Sequence, residues 1–528
     1  MLENHESQIS RLSAVPPSGY PSLAFKERAR TWATLQPDAD CLGAAVDFDW
    51  LTWTLVAIIA ASYFFGLTPG HVFVQDDFAA YVMHAANIVE GHPYPDIHYV
   101  PNREAPWVSP ANGYPPLYPL LLAPVYWQFG LDLRAMKMLT AGAFVIFLAA
   151  FASWIKPLVS PALRVVTLVL VGLSPAFWSY RDLVSSEFPY LMFSFVALLV
   201  IRRGSEGAWG LRQAGWALLA GLVLYACYGT RTIGVALSGA LIGAELVRHR
   251  RPTRFLVLAL AVVAGLAILQ AVLLTSPKGY VEAAHFSARS VLENVVSYGK
   301  SLSHAWENGF SKGAQGGLTV VLSGFAVVAF CRRIRQGSIE AFYLVIYLAI
   351  LLAWGAQIGM RGLLPALPIY LTYVVLGIAA AVGHLQQPKG RALVAAVAVC
   401  VAITYFGGLP QRSWQASLAN VNDASAQELF TFLRAQTQPS DLLLFSKPRS
   451  IALFSGRTTA SLGPEESARE SMRFVREKNV RFVIQAAWNP PAYARLLSDD
   501  RAQFCEVFRN RDFQVFRVRA GQARSNTQ

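Results

Sequence analysis

Eleven apolar runs, each long enough to be read as a helix crossing ~30 Å of hydrocarbon, constrain this chain more than any other feature. They fall near 50–67, 136–155, 162–179, 186–201, 213–229, 232–247, 255–275, 317–331, 339–356, 362–382 and 392–409. Composition agrees: 54% of the 528 residues are hydrophobic and 15% are charged, where a soluble globular chain carries roughly 25% charged residues. The expected fold class is therefore a polytopic α-helical membrane protein with about 11 transmembrane helices. The net charge of +13 does not point to nucleic acid, because many of the basic residues lie in short clusters between apolar runs. Cys41, Cys227, Cys331, Cys400 and Cys505 are scattered, which gives neither metal-ligand spacing nor a disulfide framework.

Charge placement sets the expected orientation. With the N-terminus inside, the clusters Lys156/Arg164, Arg202/Arg203/Arg212, Arg248/Arg250/Arg251/Arg254, Arg332/Arg333/Arg335 and Lys389/Arg391 all face the cytoplasm. This holds only if PPLYPLLLAPVYWQFG (115–130) does not cross. Its four prolines suit an interfacial or re-entrant segment. Residues 1–49 are then a cytoplasmic tail without a cleaved signal peptide. Residues 50–409 form the transmembrane domain, with outer loops 68–134 and 276–316, and residues 410–528 lie outside the membrane. The basic tail and the absence of a eukaryotic-style retention signal fit a bacterial inner membrane.

The region beyond residue 410 differs in kind. DLLLF (441–445), RFVIQ (481–485), FCEVF (504–508) and FQVFRV (513–518) read as strands between polar helical stretches. A capping-box pattern, Ser425 to Glu428, opens one such helix. About 110 residues suffice for a small α/β domain. It contains no glycine-rich phosphate loop, Cys/His cluster or Ser/His/Asp arrangement, so it is expected to be accessory, shaping the outer face of a site.

Charged groups at the hydrocarbon edge are costly and point to function, and on the outer side there are four such places. In VQDDFAAYVMHAANIVEG, the apolar positions 78, 81, 82, 85, 88 and 89 mark one face of an amphipathic helix, with Asp76 and Asp77 at its N-terminus. YRDLVSSEFPY carries Arg181, Asp182 and Glu187 at a turn between two runs. Arg231 interrupts an apolar stretch, and Arg361 opens a run containing Pro365 and Pro368. Each has a plain structural reading: a helix cap, a Glu187–Arg181 pair, an arginine snorkelling to headgroups, a helix end. Together they place carboxylates and arginines at one membrane face. A carboxylate there can take a hydroxyl proton, and an arginine can neutralise phosphate. His84, His92 and His98 share the outer loop without repeating ligand spacing, and read as solvated histidines rather than a metal site. No cofactor is specified, and a divalent cation is left open.

Residues 50 to 409 resemble the GT-C membrane glycosyltransferases, the superfamily of protein O-mannosyltransferases and lipid A aminoarabinose transferases. The resemblance lies in QDDFAAYVMHAANIVEGHPY, NGYPPLYPLLLAPVYWQFG, LSPAFWSYRDLVSSEFPYLMF and RGLLPALPIY, in family order. It implies a sugar donor on a polyprenyl phosphate, membrane lipids around it, and a glycan, lipid or protein acceptor. An outer-loop aspartate, Asp76 or Asp77, would be the base of an inverting displacement, with Asp76 in the family's first acidic place. Glu187 would be the second acid. Arg231 and Arg361 are the candidates for the donor phosphate, and Tyr81, Tyr114, Arg181 and Asp182 for the substrate pocket. Tyr114 stands where the aminoarabinose transferases have a lysine before the paired prolines, so that phosphate contact is not matched. Two rival readings remain: an oligosaccharide ligase or polymerase using a diphosphate-linked donor, and a transporter. The transporter predicts internal repeats and mid-depth polar groups, and no repeat is visible. A third reading, an inactive scaffold that binds a partner, is disfavoured by the intact acids and arginines.

Overall fold

The computed structural model describes residues 48–102, 105, 114–274, 288–306, 312–354, 358–382, 405, 419–499 and 501–519. By compactness the chain divides into Met1–Phe48 and Asp49–Gln528, and all that follows concerns the second unit. The division does not fall near residue 410. The helices and the C-terminal α/β portion belong to one compact unit, because the outer loop and that portion share a core.

Ten of the eleven apolar runs are helical, and the run 392–409 lies outside the described residues apart from Tyr405. Among the described residues, four helical segments are long and apolar enough to cross a membrane by length and composition: Leu133–Ile155, Pro161–Trp178, Arg254–Leu273 and Gly313–Arg335. The N-terminal tail and parts of both outer loops also lie outside the described residues. Helix boundaries follow local chemistry. Asp132 accepts from Ala135 N–H at 3.0 Å and Thr253 from Leu256 N–H at 3.1 Å, each occupying an orphan donor of the first turn. The helices pack in a relay, Leu133–Ile155 on Glu187–Gly204, then Leu211–Thr230, then Arg254–Leu273. The last of these leaves Val257, Ile268, Val272 and Leu273 exposed, the surface a lipid-facing helix requires. At the end carrying the basic clusters, Asp49 pairs with Lys156 and Arg164, and Glu340 with Arg333.

The segment 115–130 folds as Leu117–Phe129, with Pro124 inside it. At 1.5 Å per residue its 13 residues reach roughly 20 Å, short of a bilayer core. It packs on Asp77–Glu90, the amphipathic helix the periodicity predicts. Gly91 ends that helix at φ +74, a left-handed position that glycine takes without strain.

The α/β portion holds a five-stranded sheet in the order β2-β1-β3-β5-β4: β1 Leu442–Leu444, β2 Thr458–Ala460, β3 Val480–Ala486, β4 Phe504–Arg509 and β5 Phe513–Val518. β1 pairs parallel with β2 and β3, and β5 antiparallel with β3 and β4. All four expected strands form. β2, three residues long, carries too little pattern to be read in advance. The capping box is displaced: Asp423, not Ser425, is the N-cap of Ala424–Gln436, and the Ser425 hydroxyl donates to Asp512. The capping box that forms is Ser467 with Glu470.

The segment after the first helix adds a bridge to this sheet. Residues 98–100 hydrogen-bond to Thr459 at the β2 edge, and Phe73 and His71 bond to Ala419 and Val421. Phe73, Phe78, Tyr81 and Tyr118 share one buried core with Phe430, Phe445, Ile451 and Phe513. Residues widely separated in the sequence therefore place the acidic doublet against the start of the helix Pro448–Ser455.

Candidate active site

The two aspartates of the doublet face different partners. Asp76 stands at the N-cap position of Asp77–Glu90, yet its side chain does not cap that helix. It reaches the N-terminus of Pro448–Ser455 instead. One carboxylate oxygen accepts the Arg449 backbone N–H at 3.0 Å; the other accepts the Ser450 N–H at 2.7 Å and the Ser450 hydroxyl at 2.5 Å. Pro448 occupies the first helical position and has no N–H to give, so Asp76 takes the next two donors. Burial pushes the Asp76 carboxyl up, against Arg449 and Ser450.

Asp77 turns toward the membrane helices. One oxygen accepts from the Tyr114 hydroxyl at 2.5 Å and from Arg449 Nη1 at 3.0 Å; the other accepts from Arg361 Nη1 at 2.5 Å. Its side chain keeps 25% exposure. Burial opposes its ionisation, but Arg361 and Arg449 outweigh burial and hold the carboxyl well below the usual range.

Arg361 continues the chain of charges. Its Nε donates to Glu187, and Arg231 donates to the same oxygen from the other side. Glu187 is fully buried, and its second oxygen has no partner among the described residues. The Arg231 guanidinium also meets Ser186 Oγ at 3.2 Å, which lies 3.1 Å from the Tyr81 hydroxyl. The result is an alternating file, Arg231, Glu187, Arg361, Asp77, Arg449. Charges this far from water are tolerated because each is paired, and such a cluster is a candidate functional site.

Asp76, Asp77, Glu187, Arg231, Arg361, Tyr81 and Tyr114 are thus brought together. Arg181 and Asp182 are not. Arg181 donates to Phe65 O at 2.7 Å and lies over the Trp178 ring. Asp182 accepts from Lys137 Nζ at 2.8 Å and from Thr68 N–H and Oγ1 at 3.0 and 2.7 Å. Their turn faces the end of the first helix and the start of the outer loop, so these side chains fasten the loop rather than line a pocket. Glu187 pairs with Arg231 and Arg361, not with Arg181.

Of the three histidines, one departs from expectation. His84 is buried, stacked on Tyr94, with Nδ1 2.7 Å from Tyr94 O; burial lowers it to about 4. His92 and His98 are exposed beside Glu90 and Asp96. Among the described residues, no three His, Cys, Asp or Glu side chains gather as a metal site would need.

Arg449 and Ser450 belong to no sequence motif recognised above. The available signal was positional: an arginine at the start of the helix that follows a buried strand, where open α/β sheets place their ligands.

No protein-family model matches the sequence, and no curated protein does. Its fold is nonetheless similar to those of several solved structures. ArnT from Cupriavidus metallidurans, solved bound to undecaprenyl phosphate, superposes at TM-score 0.54 and 13% identity, over 90% of this chain and 100% of that one. AglB, the oligosaccharyltransferase of Archaeoglobus fulgidus, solved with an inhibitory peptide and a dolichol-phosphate, gives 0.51 and 12% over 83% and 69%. The mycobacterial arabinofuranosyltransferase AftD gives 0.53 and 13%, over 90% of this chain and 40% of its own.

Proposed function

We propose that this chain is a membrane glycosyltransferase that moves a sugar from a polyprenyl-phosphate-linked donor to an extracytoplasmic acceptor hydroxyl, with Asp77 as general base. One observation carries the choice of base: within a GT-C fold, Asp77 is the member of the doublet whose side chain keeps some exposure and faces the arginines, while Asp76 is occupied by the helix at Pro448–Ser455. The acceptor O–H gives its proton to Asp77 as its oxygen attacks the anomeric carbon. The bond from that carbon to the phosphate oxygen breaks, the configuration inverts, and polyprenyl phosphate leaves. Arg361 and Arg231 offset the charge developing on the departing phosphate.

A carboxylate clasped by two guanidinium groups is a weak base. The donor phosphate competes with Asp77 for Arg361 and so raises the basicity of Asp77 when donor is present. Glu187 then keeps Arg231 paired. In this reading the chain sits in a bacterial inner membrane, with its N-terminus cytoplasmic and its C-terminal portion outside. The transporter alternative asks for polar groups at mid-depth. Here Glu187 opens a helix, Arg231 ends one, and Arg361 lies in the short helix Met360–Leu363.

The test is turnover of a panel of polyprenyl-phosphate sugars by purified protein, followed by release of lipid phosphate. Release with wild type and its loss in Asp77→Asn support the proposal. If Asp77→Asn turns over normally, Asp77 is not the base; if no donor is consumed, the class is wrong.

A further inference from the structure

Arg449 has more hydrogen-bonding capacity than its surroundings use. Its side chain is 4% exposed. One corner, Nη1, meets Asp77. The guanidinium lies near two tyrosine rings, 5.3 Å from the Tyr114 centroid and 5.9 Å from that of Tyr99. The Nε and Nη2 atoms are buried and have no hydrogen-bond partner among the described residues. These two nitrogens form the edge of a guanidinium that grips carboxylate or phosphate bidentately. Leaving such donors buried and unmet is costly, and native interiors avoid it.

Two further observations bear on this edge. In the file described above, three guanidinium groups share two carboxylates, and the third carboxylate beside Arg449, that of Asp76, is taken up by backbone and Ser450 donors rather than by this edge. Arg449 also follows the carboxyl end of β1, the central strand of the parallel trio β2-β1-β3. The chain leaves β1 for one neighbour and later returns to the other, which makes this the switch point where such sheets bind ligands.

We infer that the Nε–Nη2 edge of Arg449 is a binding site for an anionic group, phosphate or carboxylate, carried by a substrate of the reaction at Asp77. This rests on the proposed glycosyl transfer. Arg449 lies across Asp77 from Arg361, so the assignment favours the acceptor, reached from the α/β portion, over the donor lipid, which Arg361 and Arg231 serve. The enzyme would then select acidic acceptors, such as phosphorylated or uronic-acid-bearing glycans.

The experiment measures binding, not turnover, and so fails independently of the proposed activity. Full-length protein in lipid nanodiscs is titrated with glucose 6-phosphate, glucuronate, neutral glucose and undecaprenyl phosphate. Wild type should bind the two anionic sugars at least tenfold more tightly than glucose. Arg449→Gln and Arg449→Lys should both lose that preference, because lysine keeps the charge but not the fork. Undecaprenyl phosphate should bind Arg449→Gln within about twofold of wild type and weaken in Arg361→Gln. Because Asp76 holds backbone and Ser450 donors, not the Arg449 side chain, the variants should keep the domain docked, and a thermal melt checks this. If Arg449→Gln instead weakens undecaprenyl phosphate, the anionic group is the lipid's. If it weakens neither sugar nor lipid, the inference is overturned.

Discussion

Ser450 donates two hydrogen bonds to one oxygen of Asp76, 374 positions earlier in the chain, at 2.7 Å from its backbone and 2.5 Å from its hydroxyl. This contact pins the α/β portion to the start of the helix Asp77–Glu90, at the spot where Asp77 meets Arg361. An acid that sequence reads as a helix cap serves as the cap of a different helix.

Asp76→Ala should therefore loosen the docking. It leaves the Arg449 and Ser450 N–H groups buried and unmet, a cost of about 2–4 kcal/mol. A lowered melting temperature and faster proteolysis between residues 410 and 450 would report it. An unchanged melt would show that Asp76 does not hold the domain.

Asp77→Asn should lower the melt, because Arg361 and Arg449 lose a counterion although the amide retains an acceptor for Tyr114, and turnover should fall roughly 10²- to 10⁴-fold. Faster proteolysis at Asp76→Ala with turnover retained, against turnover lost at Asp77→Asn, separates the neighbours.

Removing Glu187 should be structurally costly. Glu187→Gln leaves Arg231 and Arg361 without their shared counterion, and breaking a buried pair costs about 3–5 kcal/mol. The double variant Glu187→Gln, Arg231→Gln should recover part of that loss in a thermal-unfolding series. If the single variant is as stable as wild type, the file of charges is not what holds these helix ends together.

Acidity offers an independent check. Asp77 is depressed when folded, so its contribution to stability is fully present above the ordinary carboxylate value near ~4 and is lost as pH falls below it. His71 behaves alike: burial and then Lys137 lower it to about 3, so its contribution is present above ~6.5 and declines as pH falls toward 3. For the reaction, taking away a guanidinium disfavours ionised Asp77. Arg449→Gln should thus move the acidic limb of kcat/KM to higher pH, whereas an unmoved limb would remove Asp77 from the rate-controlling ionisation.

Much of the scaffold is legible in the chain. Apolar runs must become helices in hydrocarbon, because no water is present to meet unpaired backbone groups, and the described runs do so. The strands of 480–486, 504–509 and 513–518 follow their apolar patterns, and Asp77–Glu90 its helical period. Local statistics misplace finer items. The Ser425 pattern loses to Asp423, while Ser467 with Glu470 forms the box, since both depend on where the chain enters its helix.

Sequence by itself determined that the chain is a stack of apolar helices with acids and arginines at their ends, because hydrocarbon excludes charge from the middle. Tertiary structure alone decided which of those groups meet. Adjacent residues point opposite ways: Asp76 to the α/β portion and Asp77 to Arg361. Arg181 and Asp182, expected at the site, fasten a loop instead. Arg449 enters from 372 positions beyond Asp77. Side-chain direction and long-range contact arise only when the helices and the sheet are packed, so no local pattern encodes them.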